Sequence, residues 1–257
     1  MSSYRPVTAV LRGLEVLRVV NRSGLATIKG LHQETGLDKA TIVRMLETLI
    51  HAGYVRADRE AGGYRVTGRA KQLGTGYANY DQTAEICAPI LERFRDSYGW
   101  PSDFTIRDDD AMIVVRTSRH SGPFNFNRNP GFRAPILLTS IGRAYLAFCP
   151  PAERAEILAR LAETLPKMPL PARIDRMLDQ VRIAGYAVMD EGYSQREYKG
   201  AILAIAVPVA GADRILGSLN MMFLRQTLRL DDAVSRYVEP LHDTARQIAR
   251  ALTGGEA

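Results

Sequence analysis

A short stretch near the amino terminus carries basic and hydroxyl side chains, and two of them, Thr41 and Arg44, are three residues apart and share a helix face. Lys39, Thr41 and Arg44 lie among apolar residues that recur at helical intervals, so a helix here would expose all three. Ammonium, hydroxyl and guanidinium groups donate hydrogen bonds to phosphate oxygens, and an arginine can also hold a guanine edge. These residue types indicate contact with a nucleic acid, provided that the surrounding elements present them together.

Two short helices and a glycine turn would position these side chains. The sequence from Thr27 to Gly53 predicts one helix, a turn at Thr35-Gly36-Leu37, and a second helix that begins at Asp38 and runs to Ala52. The apolar face of the second helix consists of Ile42, Leu46 and Leu49. This pattern is typical of a helix-turn-helix in the major groove, and taken alone it fits a helical hairpin in a core equally well.

The distribution of charge separates these two interpretations. Residues 1–79 contain 12 Lys and Arg against 6 Asp and Glu, whereas residues 80–257 contain 22 of each class. The formal excess of +6 therefore lies entirely in the segment with the paired helices. A basic amino-terminal third beside a neutral remainder favours contact with DNA.

Predicted elements on both sides of the helix pair add candidate contacts. Residues 8–21 predict an amphipathic helix with Arg12 on its polar face, and residues 54–66 predict a β-hairpin. A hairpin directly after the second helix is the wing of a winged helix, so Arg56 and Arg65 could lie over phosphate or in the minor groove. A solvated surface charge is the alternative for each arginine. The expected DNA contacts are Arg12, Thr27, Lys39, Ala40, Thr41, Arg44, Arg56 and Arg65.

The rest of the chain predicts an α+β fold. Residues 80–98 predict a linker helix, and residues 99–257 alternate strand and helix patterns. The most apolar strands are predicted at Ile202–Val209 and Ile215–Phe223, with a further strand at Phe124–Phe126. We therefore divide the chain into a winged helix-turn-helix domain (1–79), a linker helix (80–98) and a domain with an antiparallel sheet flanked by helices (99–257).

Patterns that mark common catalytic and metal sites do not occur in the sequence. The four histidines lie in unrelated predicted elements, and the HExxH, GxSxG, P-loop and GxGxxG motifs are absent. Asp108-Asp109-Asp110 lacks the spacing of a calcium loop and predicts a hairpin turn. Cys87 and Cys149 lack CxxC spacing and are interpreted as reduced core residues. We expect no catalysis, no metal and no cofactor; an enzyme or a ligand-binding sensor without DNA contact is the alternative.

The length and the hydropathy of the sequence indicate which class of protein to expect. The 257 residues, 46% hydrophobic and 24% charged, allow two globular domains. No apolar run approaches the ~18 residues of a membrane span, and the first residues lack the order of a secretory signal. The expectation is a cytoplasmic protein without a membrane partner.

The ordered motifs resemble those of the isocitrate-lyase-regulator (IclR) family of bacterial transcription factors, over nearly the whole chain. The resemblance rests on AVLRGLEVL, LHQETGLDKATIVRMLETLIHAGYV, YRVTGRAKQLG, RAPILLTSIGRAYLAF, VRIAGYAVMDEGYS and AILAIAVPVAGADRILGSLNM. It implies a winged helix-turn-helix bound to an operator in double-stranded DNA, a linker helix that dimerises, and a GAF-like effector domain. The family's proteins are homodimers or dimers of dimers.

A narrower resemblance within the family concerns the effector. The segment WPSDFTIRDDDAMIVVRTSRHS, followed by IGRAYLAFCP, resembles activators of 3-(3-hydroxyphenyl)propionate catabolism. This implies that the effector is an aromatic or phenylpropanoid-type carboxylic acid. It also favours activation of a catabolic operon over repression, which would make RNA polymerase a partner.

The family resemblance also implies where the effector binds. The family's pocket involves the segment TSIGRA and the last two strands, which here supply Leu138, Thr139, Ser140, Ile141, Ala204, Ala206, Asn220 and Met222. A helix that begins at Thr139-Ser140 would offer free N–H groups to a carboxylate. Asn220 interrupts an otherwise apolar strand, so it is either a satisfied buried amide or a ligand contact. Met112 could pack against an aromatic ring or serve only the core. Arg116 and Arg133 are the candidates for an ion pair with the acid, with a surface charge as the alternative for each.

Overall fold

The computed structural model describes residues 4–74, 79–119, 129–164 and 171–254. The chain forms two compact units, one up to Ala78 and the other from Asn79 onward. The strand predicted at Phe124–Phe126 lies outside the described residues. Over the described ranges, no helix combines the length and apolarity needed to cross a membrane.

The first unit contains three helices, a hairpin and a short fourth helix. Its elements are α1 (Thr8–Ser23), α2 (Ile28–Thr35), α3 (Lys39–His51), β1 (Val55–Asp58), β2 (Gly63–Val66) and α4 (Gly68–Gln72). Thr27 begins α2 because its hydroxyl oxygen accepts a 3.1 Å hydrogen bond from the N–H of Gly30. Gly36 ends α2 at a φ of +67°, where a side chain would strain the backbone.

One apolar core joins these helices to the hairpin. Its buried members include Val16, Val20, Leu31, Ile42, Leu46 and Val55. Tyr64 of β2 exchanges backbone hydrogen bonds with Ala26, which ties the hairpin to the loop between α1 and α2. The predicted helix pair, its turn and its wing are confirmed.

The second unit is built on one sheet. Its elements are α5 (Asn79–Tyr98), β3 (Ser102–Asp108), β4 (Ala111–Thr117), β5 (Arg133–Pro135), α6 (Ser140–Phe148), α7 (Pro151–Thr164), α8 (Pro171–Ala184), β6 (Ala187–Val188), α9 (Glu191–Tyr198), β7 (Ile202–Ala210), β8 (Ile215–Leu224) and α10 (Leu230–Leu252). The described strands lie in the order β5-β4-β3-β8-β7-β6, and each neighbouring pair is antiparallel. The predicted α+β fold is confirmed, whereas β5 and α9 were not predicted.

Helices cover the two faces of the sheet. Helices α5 and α10 pack on one face, in a core that includes Phe104, Leu219 and Phe223. Helices α6 and α8 cover the other, in a core that includes Met112, Ile141, Leu178 and Ala206. Because side chains alternate along a strand, Ser218, Asn220 and Met222 of β8 lie on this second face, which we call the α6 face.

Helix α5 belongs to the second unit and is not a free connector. Its Cys87, Leu91 and Phe94 are buried in the core beneath the sheet, and Pro89 lies within the helix. Burial raises the pKa of Cys87 to about 12 and that of Cys149 to about 11, so both remain protonated thiols near neutral pH. Both cysteines are free and buried, as predicted for core residues.

Candidate DNA-binding and effector sites

The exposed side of α3 carries the predicted DNA contacts. Lys39, Ala40 and Arg44 are exposed, whereas Ile42 and Leu46 on the other side are buried. In the part of the chain that the structure describes, neither Lys39 nor Arg44 forms an ion pair. Both cationic groups are therefore available to an external anion.

Thr41 stabilises the start of α3. Its N–H and its hydroxyl donate hydrogen bonds of 2.8 and 2.7 Å to the two carboxylate oxygens of Asp38. The hydroxyl bond first, and then the backbone bond, lower the pKa of Asp38, so the cap stays negative beside the helix amino terminus. Thr41 thereby fixes the turn that presents Lys39.

The hairpin presents one arginine and uses the other internally. Arg56 and Arg65 face each other across β1 and β2, and Arg56 is exposed. Arg65 donates hydrogen bonds of 2.7 Å to Asp58 and 3.1 Å to the carbonyl oxygen of Gly24. Arg65 therefore anchors the wing, whereas Arg56 is exposed on it. Arg12 is likewise exposed, on α1.

Most predicted effector residues lie together on the α6 face. Cross-strand pairing places Ala204 beside Met222 and Ala206 beside Asn220. Leu138 packs with Ala204 and Met222 in one small cluster. The remaining predicted residues on this face are Met112, Thr139, Ser140 and Ile141, and all are buried.

The start of α6 packs tightly against the residues that lead into it. Thr139 caps the helix by accepting a 3.3 Å hydrogen bond from the N–H of Gly142. A Cβ atom at Gly142 would lie 2.1 Å from the carbonyl oxygen of Ile136, so only glycine fits this close approach. The N–H groups of Ser140 and Ile141, the first two of the helix, have no intrahelical acceptor, which makes this end of α6 suitable for an anion.

An ion pair on the same face was not predicted from the sequence. Arg119, two residues after β4, pairs with Asp103 of β3, and the two side chains are 6% and 0% exposed. Asn220 lies directly across from Asp103 on β8. Its amide oxygen accepts a 2.8 Å hydrogen bond from the N–H of Asp103, and its amide nitrogen donates at 3.2 Å to the carboxylate. We call Asp103, Arg119 and Asn220 the polar cluster.

The polar cluster is incompletely satisfied. Nε and Nη1 of Arg119, Oδ1 of Asp103 and the neighbouring Oγ of Ser218 are buried without a hydrogen-bond partner among the described residues. Each such atom costs about 1–3 kcal/mol. A ligand that supplied the missing partners would recover this free energy. Asn220, one of the predicted effector residues, is hydrogen bonded to Asp103 and holds it in place.

The two predicted carboxylate partners lie elsewhere. Arg116 pairs across the sheet with Phe104 and donates a 3.2 Å hydrogen bond to Glu92 of α5, so it faces α5. Arg133 lies on β5, is 47% exposed and pairs with Asp108 and Asp110. The structure therefore does not bring either arginine to the α6 face.

Two family profiles match the chain, in the order of its two units. The profile described as the IclR helix-turn-helix domain matches residues 9–59, and that of the bacterial transcriptional regulator IclR C-terminal matches residues 76–250. The chain belongs to the IclR family. It is a DNA-binding transcriptional regulator with a carboxy-terminal effector-binding domain, as the motifs predicted.

Individual relatives of this IclR-family chain are also regulators rather than enzymes. The Pca regulon regulatory protein of Pseudomonas putida is 26% identical over 257 residues, covering 96% of this chain and 85% of that protein. The repressor YiaJ of Escherichia coli is 27% identical over 256 residues, covering 95% and 87%.

Solved structures share the fold. An IclR-family regulator from Brucella abortus superposes with a TM-score of 0.62 at 26% identity, covering 96% of this chain and 93% of that one. An IclR homologue from Microbacterium hydrocarbonoxydans, complexed with 4-hydroxybenzoate, gives a TM-score of 0.66 at 19% identity, covering 96% and 99%. At this lower identity, the likeness shows the fold alone.

Proposed function

We propose that this regulator activates a catabolic operon in response to an aromatic or phenylpropanoid-type carboxylic acid. The start of α6 carries the proposal for the acid, because its first N–H groups suit an anion and its flanking residues pack on apolar strand residues. Ile141 packs in the same cluster as Ala206, and Leu138 in that of Ala204 and Met222. Ala204, Ala206 and Met222 are buried, so a bound ring would have to displace side chains here, and a flexible methionine can adapt to its shape. The relative solved with 4-hydroxybenzoate supports this class of ligand.

In the proposed function, α3 and the wing bind the operator DNA. Arg44, exposed and without an ion pair among the described residues, would hold a guanine edge. Lys39 and Arg56 would bind phosphate, and Ala40 and Thr41 complete the face in the groove. The operator would therefore be recognised by a few side chains on one helix.

The first unit has an exposed apolar surface that a second copy of the chain would bury in a homodimer. Five apolar side chains are each more than half exposed, and we call them the apolar strip: Val7, Val10, Leu11, Leu14 and Leu73. Those on α1 recur at the spacing of a helix–helix seam, and a groove of about 480 Å³ lined by Leu14, Leu17 and Leu73 lies beside them. A second copy of this unit is the occupant that buries the strip and presents two α3 helices to a two-fold operator.

The experiment measures binding of the full-length protein to promoter DNA flanking its own gene, with and without aromatic acids. We expect nanomolar binding that weakens steeply with salt, as phosphate contacts require. We also expect an acid that raises the melting temperature and stimulates transcription by added RNA polymerase. Acid-induced repression would overturn the activator assignment, and binding that is indifferent to DNA sequence would overturn operator recognition.

A further inference from the structure

The polar cluster offers both kinds of hydrogen-bonding group to a ligand. Among the described residues, Arg119 has two donors without a partner, Nε and Nη1, whereas its Nη2 donates to the carboxylate of Asp103 and to the sulfur of Met222. Over the same described ranges, Oδ1 of Asp103 is an acceptor without a partner. The two side chains are almost fully buried and their charges cancel. A ligand group at this position therefore meets donors and an acceptor in a neutral, dry environment.

The charge balance decides which group fits. A ligand carboxylate could accept hydrogen bonds from Arg119, but it would add a second anion beside Oδ1 of Asp103. Like charges repel strongly where water is excluded, and this repulsion would oppose binding. A hydroxyl group donates to Oδ1, accepts from Arg119 and adds no charge.

We propose that the Asp103–Arg119 pair binds a hydroxyl group of the effector and thereby selects hydroxylated acids over their unsubstituted analogues. The inference rests on the proposed function, in which the acid's carboxylate binds at the start of α6.

Met222 connects the two ends of this arrangement. Its sulfur lies 3.1 Å from Nη2 of Arg119, and its side chain packs in the same cluster as Leu138, which lies immediately before the cap of α6. The apolar body of the ligand would therefore lie along Met222, with the hydroxyl at Arg119 and the carboxylate at Ser140 and Ile141.

The test uses calorimetry on the full-length protein with two matched pairs of acids. These are 3-(3-hydroxyphenyl)propionate against 3-phenylpropionate, and 4-hydroxybenzoate against benzoate. For at least one pair we expect the hydroxylated acid to bind about 10- to 100-fold more tightly, because its analogue leaves Asp103 and Arg119 unpaired. Equal affinities within both pairs would overturn the selection of a hydroxyl while leaving the aromatic-acid class in place.

Asp103→Asn isolates the acceptor. The new amide oxygen would turn to Arg119 and Asn220, which places the NH₂ group where Oδ1 stood, so the hydroxyl loses its acceptor. The preference should then fall to about threefold or less. An undiminished preference in a folded variant would contradict the role of Asp103.

Asp179→Asn is the matched control, because Asp179 pairs with Arg182 on the surface and should keep the full preference. If Asp103→Asn fails to fold, the comparison of acids on the wild-type protein still decides. Failure of all four acids to bind would overturn both the proposed effector class and this inference.

Discussion

Arg143 donates a 2.8 Å hydrogen bond to Asp190, and this contact joins the start of α6 to the start of α9. Arg143 also donates at 2.8 Å to the carbonyl oxygen of Leu137, and the N–H of Asp190 donates at 2.9 Å to that of Leu138. Both residues directly before the cap of α6 are thus fixed by the same pair. The position of the proposed carboxylate site depends on this network.

Replacing Asp190 by Asn should destabilise the effector domain in a pH-dependent way. Burial would raise the pKa of Asp190, but a 2.9 Å hydrogen bond from the N–H of Tyr193 and the charge of Arg143 outweigh it and lower the pKa. The carboxylate therefore contributes stability above its ordinary pKa of about 4, and this contribution is lost as the pH falls through the lowered value. We expect a melting temperature about 2–5 °C below wild type at pH 7, and a smaller difference at pH 3.

The control for this substitution is Asp179→Asn, at an exposed ion pair, which should change the melting temperature little at either pH. A deficit for Asp190→Asn that is equally large at pH 7 and pH 3 would contradict a role for its charge.

Gly142→Ala should displace the start of α6. The added Cβ would lie 2.1 Å from the carbonyl oxygen of Ile136, and backbone cannot yield as a flexible side chain can. We expect a loss of about 2 kcal/mol or more in the free energy of unfolding and a weaker thermal response to the effector, both measured by calorimetry. Gly68→Ala is the matched control, because nothing lies within 4 Å of its Cβ. If Gly142→Ala keeps the stability and the effector response of the wild type, the close approach of Gly142 to Ile136 does not position the start of α6.

Arg44→Ala should abolish preference for the operator while leaving the fold intact. Loss of a bidentate base contact costs about 1–3 kcal/mol, so operator affinity should fall about 10- to 100-fold and affinity for random DNA should change little. Fluorescence anisotropy with both duplexes measures the two affinities. Arg246→Ala is the control, because Arg246 is an exposed arginine of α10 that pairs with Asp243 and, at 3.2 Å, with Glu239. Unchanged operator binding in Arg44→Ala would remove Arg44 from the base-contacting surface.

Leu14→Glu should disrupt a dimer formed through the apolar strip. Burying an unpaired carboxylate in that seam costs several kcal/mol, so the dissociation constant should rise by about 100-fold or more. Sedimentation of the full-length protein measures the change. Ile183→Glu supplies a comparison, since Ile183 is 89% exposed on α8 and lies outside the strip. A Leu14→Glu protein that sediments like wild type would place the dimer interface elsewhere.

Local patterns explain which parts of this fold could be predicted. Helix α3 was predicted because Asp38 caps it and Ile42 and Leu46 mark its buried face within a few residues. Helix α9 was not, because Tyr193 and Ser194 are its buried residues and the other residues give it no apolar face. Its one sequence signal was Asp190, a residue type that often precedes a helix.

The effector site needed three-dimensional information. Asp103 and Asn220 are paired across the sheet although 117 residues separate them, so no local pattern links them. Arg116 was predicted as a carboxylate partner because it interrupts an apolar strand. The register of β3 and β4 shifts between Phe104 and Thr105, and Arg116 faces α5 at this irregularity. The unpartnered donors of Arg119 become visible only when every neighbour is in place.

The sheet order has a consequence for synthesis of the chain on the ribosome. Strand β3 lies between β4 and β8, and β8 ends at Leu224, so the described effector sheet cannot close until the residues up to Leu224 have emerged. The described core of the first unit consists of side chains between Val16 and Val66, so that unit can fold far earlier. A nascent chain would therefore possess its DNA-binding surface well before it acquires the domain that controls it.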